Sequence, residues 1–248
     1  MDEGAGPAPS SCQPFPCNAV PYAFSLRPGL HACFLQERVV FLDIKADRYT
    51  ALTGAAASAF EQLCALSRSA EIPARLQTHA QAFLNAGLLV PGRPGTGIHR
   101  PSVRPAPIGS AHGPVPANRS GESIRRLSLG HALATCLVLK RLRRFADMIR
   151  AARRWRQALP EQGNCLYEAI AHAHALHRVT PFLFTRHDAC LFRSFLLVRY
   201  LHAIGIRADW EFGVRMAPFC AHCWVEHEGI VLNDHHDTVL AYTKILSV

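Results

Sequence analysis

Cys190, His222 and Asp234 are the side chains whose types, taken together, could do chemistry in this sequence. A carboxylate can fix the tautomer of an imidazole, the imidazole can take the proton of a thiol, and the sulfur can then attack a carbonyl carbon. Cys190 opens a run in which Leu191, Phe192, Phe195, Leu196, Val198, Tyr200, Leu201 and Ile204 leave only Arg193, Ser194, Arg199 and His202 as clear polar breaks. That pattern predicts a buried helix stopped by Gly205. Asp188 is the expected N-cap, with Thr185 three residues before it, so the Cys190 thiol should stand in the first turn. There the helix dipole and free backbone N–H groups favour an anion, and a cysteine so placed should be partly thiolate at neutral pH.

The two partners must be positioned by strands. After Gly205 the sequence alternates, with Trp210, Phe212 and Val214 against Glu211, Gly213 and Arg215, and then breaks at Pro218. Segments 222–226 and 230–234 flank His227, Glu228 and Gly229 as the two arms of a hairpin. A three-residue loop with Gly229 in the left-handed region sets His222 opposite Asp234 on one face. A two-residue loop shifts the register by one and sends them to opposite faces. The first register places a carboxylate beside the imidazole.

This order of Cys, His and Asp, nucleophile on a helix and the other two on adjacent strands, resembles the transglutaminase and papain arrangement. The pieces Cys190-Leu191, Gly213-Val214-Arg215, Pro218-Phe219, His222-Cys223-Trp224-Val225-Glu226 and Val231-Leu232-Asn233-Asp234 are similar to the motifs of the B proteins of lasso-peptide biosynthesis, the leader peptidases of that pathway. The resemblance implies a thiol protease with Cys190, His222 and Asp234 as catalytic residues. It also implies a lasso precursor peptide as substrate, bound through its leader, and an asparagine-synthetase-like cyclase as partner. Cys223 departs from the pattern, where a small residue is common, and is read as tolerated. The same resemblance leaves room for dependence on ATP, yet the chain has neither a G-x-x-x-x-G-K-[ST] phosphate loop nor a G-x-G-x-x-G after a strand. No cofactor is evident in the sequence.

With 248 residues, 49% of them hydrophobic, the chain can bury a sizeable core in one or two domains. Its formal charge of +9 suits an acidic peptide or a partner enzyme as well as nucleic acid. The acidic opening Met-Asp-Glu-Gly-Ala-Gly-Pro is unlike a signal peptide, and no apolar stretch approaches the roughly 18 residues of a membrane span. The expectation is a cytoplasmic protein that binds neither membrane nor nucleic acid. The 9 cysteines are odd in number and follow no framework spacing, so free thiols are expected.

Residues 1–20, rich in proline, glycine and serine, read as a flexible tail. Runs 31–36, 38–43 and 48–52 predict a three-stranded antiparallel meander, followed by helices over 55–66 and 73–86. This unit, 21–90, resembles the winged-helix precursor-recognition domain of peptide-modifying systems through Val40-Phe41-Leu42-Asp43 and Arg48-Tyr49-Thr50-Ala51-Leu52. In that family a leader adds a strand to the sheet edge. The resemblance puts the groove between strand 48–52 and helix 73–86, with Tyr49 and Phe83 as candidate walls; as plain core aromatics they fit equally well. Residues 91–121, with seven prolines and several glycines, read as a linker, and 122–248 as the papain or transglutaminase-like domain. The expected fold class is therefore α+β.

Blander readings compete at several positions. From Ser123 a long amphipathic pattern carries Leu127, Leu129, Leu133, Leu137, Leu139, Leu142, Phe145 and Ile149 on its apolar side, with arginines elsewhere. A solvated or partner-docking face explains those arginines better than nucleic acid, because no stacking motif accompanies them. Cys220-Ala-His-Cys223 offers thiols and an imidazole to zinc, but on a strand Cys220 and Cys223 face opposite sides. Trp224 either shields the imidazole or fills core, and the role of Arg215 stays open. The three-residue set also fits an acyl transferase, and a non-catalytic chaperone for the precursor is the remaining alternative.

Overall fold

The computed structural model describes residues 24–66, 72–92, 105–111, 125–142, 145–160, 166–179 and 189–248. Its architecture is mixed α+β. The front half opens with β1 (Phe24–Leu26), which pairs antiparallel with β5 (Leu89–Pro91). Between them lie the meander β2 (Leu30–Leu35), β3 (Arg38–Asp43) and β4 (Arg48–Thr53), then α1 (Gly54–Ala65) and α2 (Ala74–Asn85). The meander and both helices stand where the hydrophobic pattern puts them. The β1–β5 pair is an addition, because three-residue strands carry too few residues to show a period.

β3 explains how the halves join. Its residues from Val39 to Asp43 are all buried, so it is covered on both faces. Val39 and Phe41 meet Phe60, Leu63, Leu76 and Phe83 from the two helices, whereas Val40 and Leu42 join the core of the back half. A strand dressed on both sides reads as a continuous apolar run rather than an alternating one. Asp43 ends it, its carboxylate accepting from the backbone N–H groups of Lys45 and Ala46 and from Arg27 at 2.6 Å.

The back half comprises α3 (Arg126–Leu142), α4 (Phe145–Gln157), α5 (Leu166–Val179) and α6 (Ala189–Ala203), followed by β7 (Asp209–Arg215), β8 (Cys220–His227), β9 (Ile230–Val231), α7 (His236–Leu240) and β10 (Thr243–Ser247). A short strand β6 (Gly109–Ser110) precedes them and runs parallel to β9 at the sheet edge, giving the order β10-β7-β8-β9-β6. β6 lies inside the proline-rich stretch read as a linker. Its edges are held by Ile108 N–H to Gly229 O at 2.9 Å and Ala111 N–H to Val231 O at 2.7 Å.

α6 is the hub. Phe195, Leu196, Leu197, Val198, Tyr200 and Leu201 are all buried, because α3, α4 and α5 pack on it from one side and β7 and β8 from the other. Gly205, at φ +90°, closes it: Gly205 N–H bonds His202 O and Ile206 N–H bonds Leu201 O at 2.9 Å. α3 corrects the sequence reading. The stripe facing the core runs through Leu129, Ala132, Leu133, Cys136 and Leu139, while Leu127 and Leu137 are exposed. At 3.6 residues per turn small side chains at 132 and 136 fall in the centre of the contact, and a leucine-only count misses them. No helix among the described residues is long and apolar enough to cross a membrane.

Leu42, 1% exposed in the shared core, should be costly to truncate. Leu42→Ala is expected to lower stability by about 2–5 kcal/mol. Because its strand is common to both cores, chemical denaturation followed by Trp fluorescence in the back half should report the loss, although the substitution lies in the front half.

Candidate active site

Cys190 is the second residue of α6 and is exposed at the helix start. Asp188 and Thr185, read as its capping residues, lie outside the described residues. The backbone N–H of Leu191 bonds the sulfur, as the free donors of a first turn allow. His222 stands on β8 directly across from Gly213 of β7.

The hairpin carrying Asp234 turns in two residues. His227 pairs with Ile230 and Glu226 with Val231, while Glu228 and Gly229 have φ of 50° and 79°, the left-handed pair a two-residue turn demands. On a regular ribbon that register would separate His222 from Asp234. The separation does not occur, because the ladder ends early. After Leu232 N–H bonds Val225 O at 2.8 Å, it is the Asn233 side chain that accepts from Val225 N–H, also at 2.8 Å. The chain then leaves the sheet for α7, and Asp234 swings back so that its carboxylate lies 2.5 Å from His222 Nε2. Nδ1 is left for the thiol.

Asn233 works in two directions. Its Nδ2 donates to Ser194 Oγ at 2.9 Å, and Ser194 Oγ donates to Cys223 O at 3.0 Å. One amide thus ties the end of the hairpin to α6, and Ser194 ties α6 to β8. Since Ser194 lies one turn after Cys190, this clamp also sets the position of the sulfur.

His222 is walled by aromatics. Trp224 stacks on it at 25° with centroids 6.0 Å apart, and Tyr242 lies 5.3 Å away. Trp224 is fully buried, and its indole N–H donates to Glu226 at 2.6 Å; the other Glu226 oxygen holds Lys244 at 2.7 Å. His222, Trp224 and Glu226 share one face of β8, so a buried ion pair on that face anchors the ring that covers the imidazole. Trp224 therefore does shield His222. The Arg215 guanidinium sits 5.4 Å over the Tyr242 ring, which makes it a prop for the wall.

The electrostatics follow from these contacts. Hydrogen bonds from Cys223 and His222 pull the Cys190 thiol down to about 4, against the upward push of burial. Burial presses His222 down, but Asp234 and the Cys190 sulfur outweigh it and raise the ring to about 9. Burial works upward on Asp234 too, and the bonds from His222 and the His235 N–H hold it below the usual carboxylate range. Between the first two values the resting state is a thiolate beside an imidazolium. Cys220 is on the opposite side of β8 from Cys223, with its sulfur against the Tyr242 hydroxyl, and among the described residues no three His, Cys, Asp or Glu side chains gather as a metal site.

Tyr49 and Phe83 do not line one wall. Phe83 is buried against Phe60 between α2 and α1, on the helix-covered face of the meander. Tyr49 pairs with Leu42 on the other face, where its ring meets Phe219 at 5.6 Å, and burial together with the nearby Cys223 and Cys190 sulfurs raises its hydroxyl. Successive residues of a strand face opposite ways, and Tyr49 belongs to the side that meets the back half. Asn233, Tyr242 and Ser194 were not read as site residues. Ser194 was legible as the polar break one turn below Cys190; Tyr242 carries no such signal.

Residues 171–247 match the transglutaminase-like superfamily. No curated protein and no solved structure matches the chain. The transglutaminase-like domain contains Cys190, His222 and Asp234, and it leaves the front half outside the match.

Two measurements test this geometry. Alkylation of Cys190 by iodoacetamide, followed by mass spectrometry, should be nearly independent of pH from 5 to 8, since the thiol is already ionised; an ordinary cysteine would gain about tenfold per pH unit over that span. At Gly213 an added Cβ would lie 2.7 Å and 2.9 Å from the Trp224 ring and 2.9 Å from Tyr242 Cβ. Gly213→Ala should cost about 1–3 kcal/mol of stability and, by displacing Trp224, disturb the His222 ring signals in an NMR titration.

Proposed function

We propose that the protein is a cysteine peptidase that binds the leader of a ribosomally made lasso-peptide precursor and cuts it off. The observation that carries the reading is a cysteine sulfur at a helix start, hydrogen-bonded to an imidazole that a carboxylate holds at 2.5 Å. The Cys190 thiolate attacks the scissile carbonyl, with its own backbone N–H and the helix start available to the oxyanion. His222, protonated at rest, delivers its proton to the leaving amine, and that amine is the new N-terminus of the core peptide. His222 then takes a proton from water, which attacks the thioester and frees the leader. Asp234 keeps Nε2–H bonded so that Nδ1 faces the sulfur throughout.

The front half supplies a route for the leader. β4 is the outer strand of the meander, with Arg48, Thr50, Ala51 and Thr53 exposed, so its edge is open to strand addition. Tyr49 on that strand reaches the neighbourhood of the thiol. A peptide laid along β4 therefore runs towards Cys190. The freed amine would pass to an asparagine-synthetase-like cyclase, which joins it to a side-chain carboxylate. The superfamily match favours a second reading, acyl transfer to an amine instead of water.

Incubation with the precursor encoded beside this chain's gene should yield two fragments whose masses sum to the precursor plus one water. A crosslinked product without added water would support acyl transfer. Cys190→Ala should lose activity on the order of 10⁶-fold, and Asp234→Asn roughly 10²–10⁴-fold with folding intact. Intact processing by Cys190→Ala would leave only an escort role. The rate should fall as pH drops through about 4, where the thiolate is protonated, and again as it rises through about 9, where His222 loses the proton the leaving amine needs.

A further inference from the structure

Cys223 performs no step of the cleavage chemistry, yet its thiol lies against the Cys190 sulfur. The contact is fixed by packing. Ser194 Oγ donates to the carbonyl of Cys223 itself at 3.0 Å, and Cys190 and Ser194 project from the same face of α6 one turn apart. From the other side Tyr49, seated on Phe219, has both sulfurs as neighbours. The two thiols differ in access: Cys190 is exposed and Cys223 is 3% exposed. A reagent arriving from solvent meets Cys190 first.

We propose that Cys190 is an oxidation site for hydrogen peroxide and that Cys223 captures the oxidised sulfur as an intramolecular disulfide. In the first step the Cys190 thiolate attacks one peroxide oxygen, the O–O bond breaks, and the departing hydroxide takes the His222 proton to become water. The sulfur has given up two electrons and is a sulfenic acid. In the second step the Cys223 sulfur attacks it, the S–S bond forms, the S–O bond breaks, and the hydroxyl leaves with the Cys223 proton as a second water. Two thiols and one peroxide thus give one disulfide and two waters, and a thiol reductant reverses the change.

The order of the steps is built into the electrostatics. Burial and the adjacent Cys190 negative charge hold the Cys223 thiol protonated while the nucleophile is intact. Oxidation removes that charge, so Cys223 becomes easier to ionise only once there is a sulfenic acid to attack. Capture also diverts Cys190 from the irreversible sulfinic state, the usual fate of a low-pKa exposed cysteine with no resolving partner. The inference rests on the reading of Cys190 as a reactive thiolate and not on which peptide is cut.

The test treats the full chain with a few-fold molar excess of hydrogen peroxide, enough for two oxidation steps at one sulfur, and follows it by non-reducing digestion and mass spectrometry. The expected product is a peptide pair joined through Cys190 and Cys223 and lighter by two hydrogens, with iodoacetamide labelling of Cys190 lost and then restored by dithiothreitol. Cys223→Ala, or Cys223→Ser where the alanine variant does not fold, should instead gain two oxygens on Cys190 and stay unlabelled after reductant. The proposal is overturned if wild type and variant over-oxidise alike, or if Cys190 links to a different cysteine. A linked pair in a protein that cleaves no precursor would keep this inference and remove the peptidase reading; cleavage with no linked pair would do the reverse.

Discussion

The Asn233 side chain, accepting from Val225 N–H where a strand residue would offer its own carbonyl, is the constraint on which the site depends. It stops the ladder one step before Asp234, frees that residue to turn back, and fastens the turn to α6 through Ser194. Had pairing continued, strand alternation would have carried the carboxylate away from the imidazole. Without the carboxylate, burial would press His222 down with only the Cys190 sulfur to oppose it, and the thiol would lose part of the support that His222 adds to that of Cys223.

The cover over the imidazole has a similar economy. Glu226 and Lys244 form a buried pair, and such a pair is worth little unless its remaining bonds are made. Here the Trp224 indole makes one of them. The consequence is a ring that cannot rotate off His222 without uncovering a charge. Gly213 completes the arrangement, since the space a side chain would need is already filled by that indole.

Much of this was legible in the sequence, and the parts that were not share a cause. The meander, the two front helices and the apolar helix closed by Gly205 follow from periods of two and 3.6. Cys190, His222 and Asp234 were identifiable as types. How Asp234 reaches the ring was not, because register arithmetic assumes that pairing continues and one amide side chain is enough to end it. The separation of Tyr49 from Phe83 was hidden for a related reason: pattern locates a strand's two faces but does not say that a second body of the protein lies against each. Cys223 reads as a tolerated departure in the sequence; only α6 packing against β8 brings it to Cys190.

The doubly clothed β3 limits how this chain can be rearranged by recombination. If the front half were spliced onto an unrelated protein, Val40, Leu42 and Ile44 would be stripped to water as an oily underside, while the abandoned half would lose part of its own interior. Domain shuffling at this seam would thus require several simultaneous apolar-to-polar exchanges on one strand and its exit.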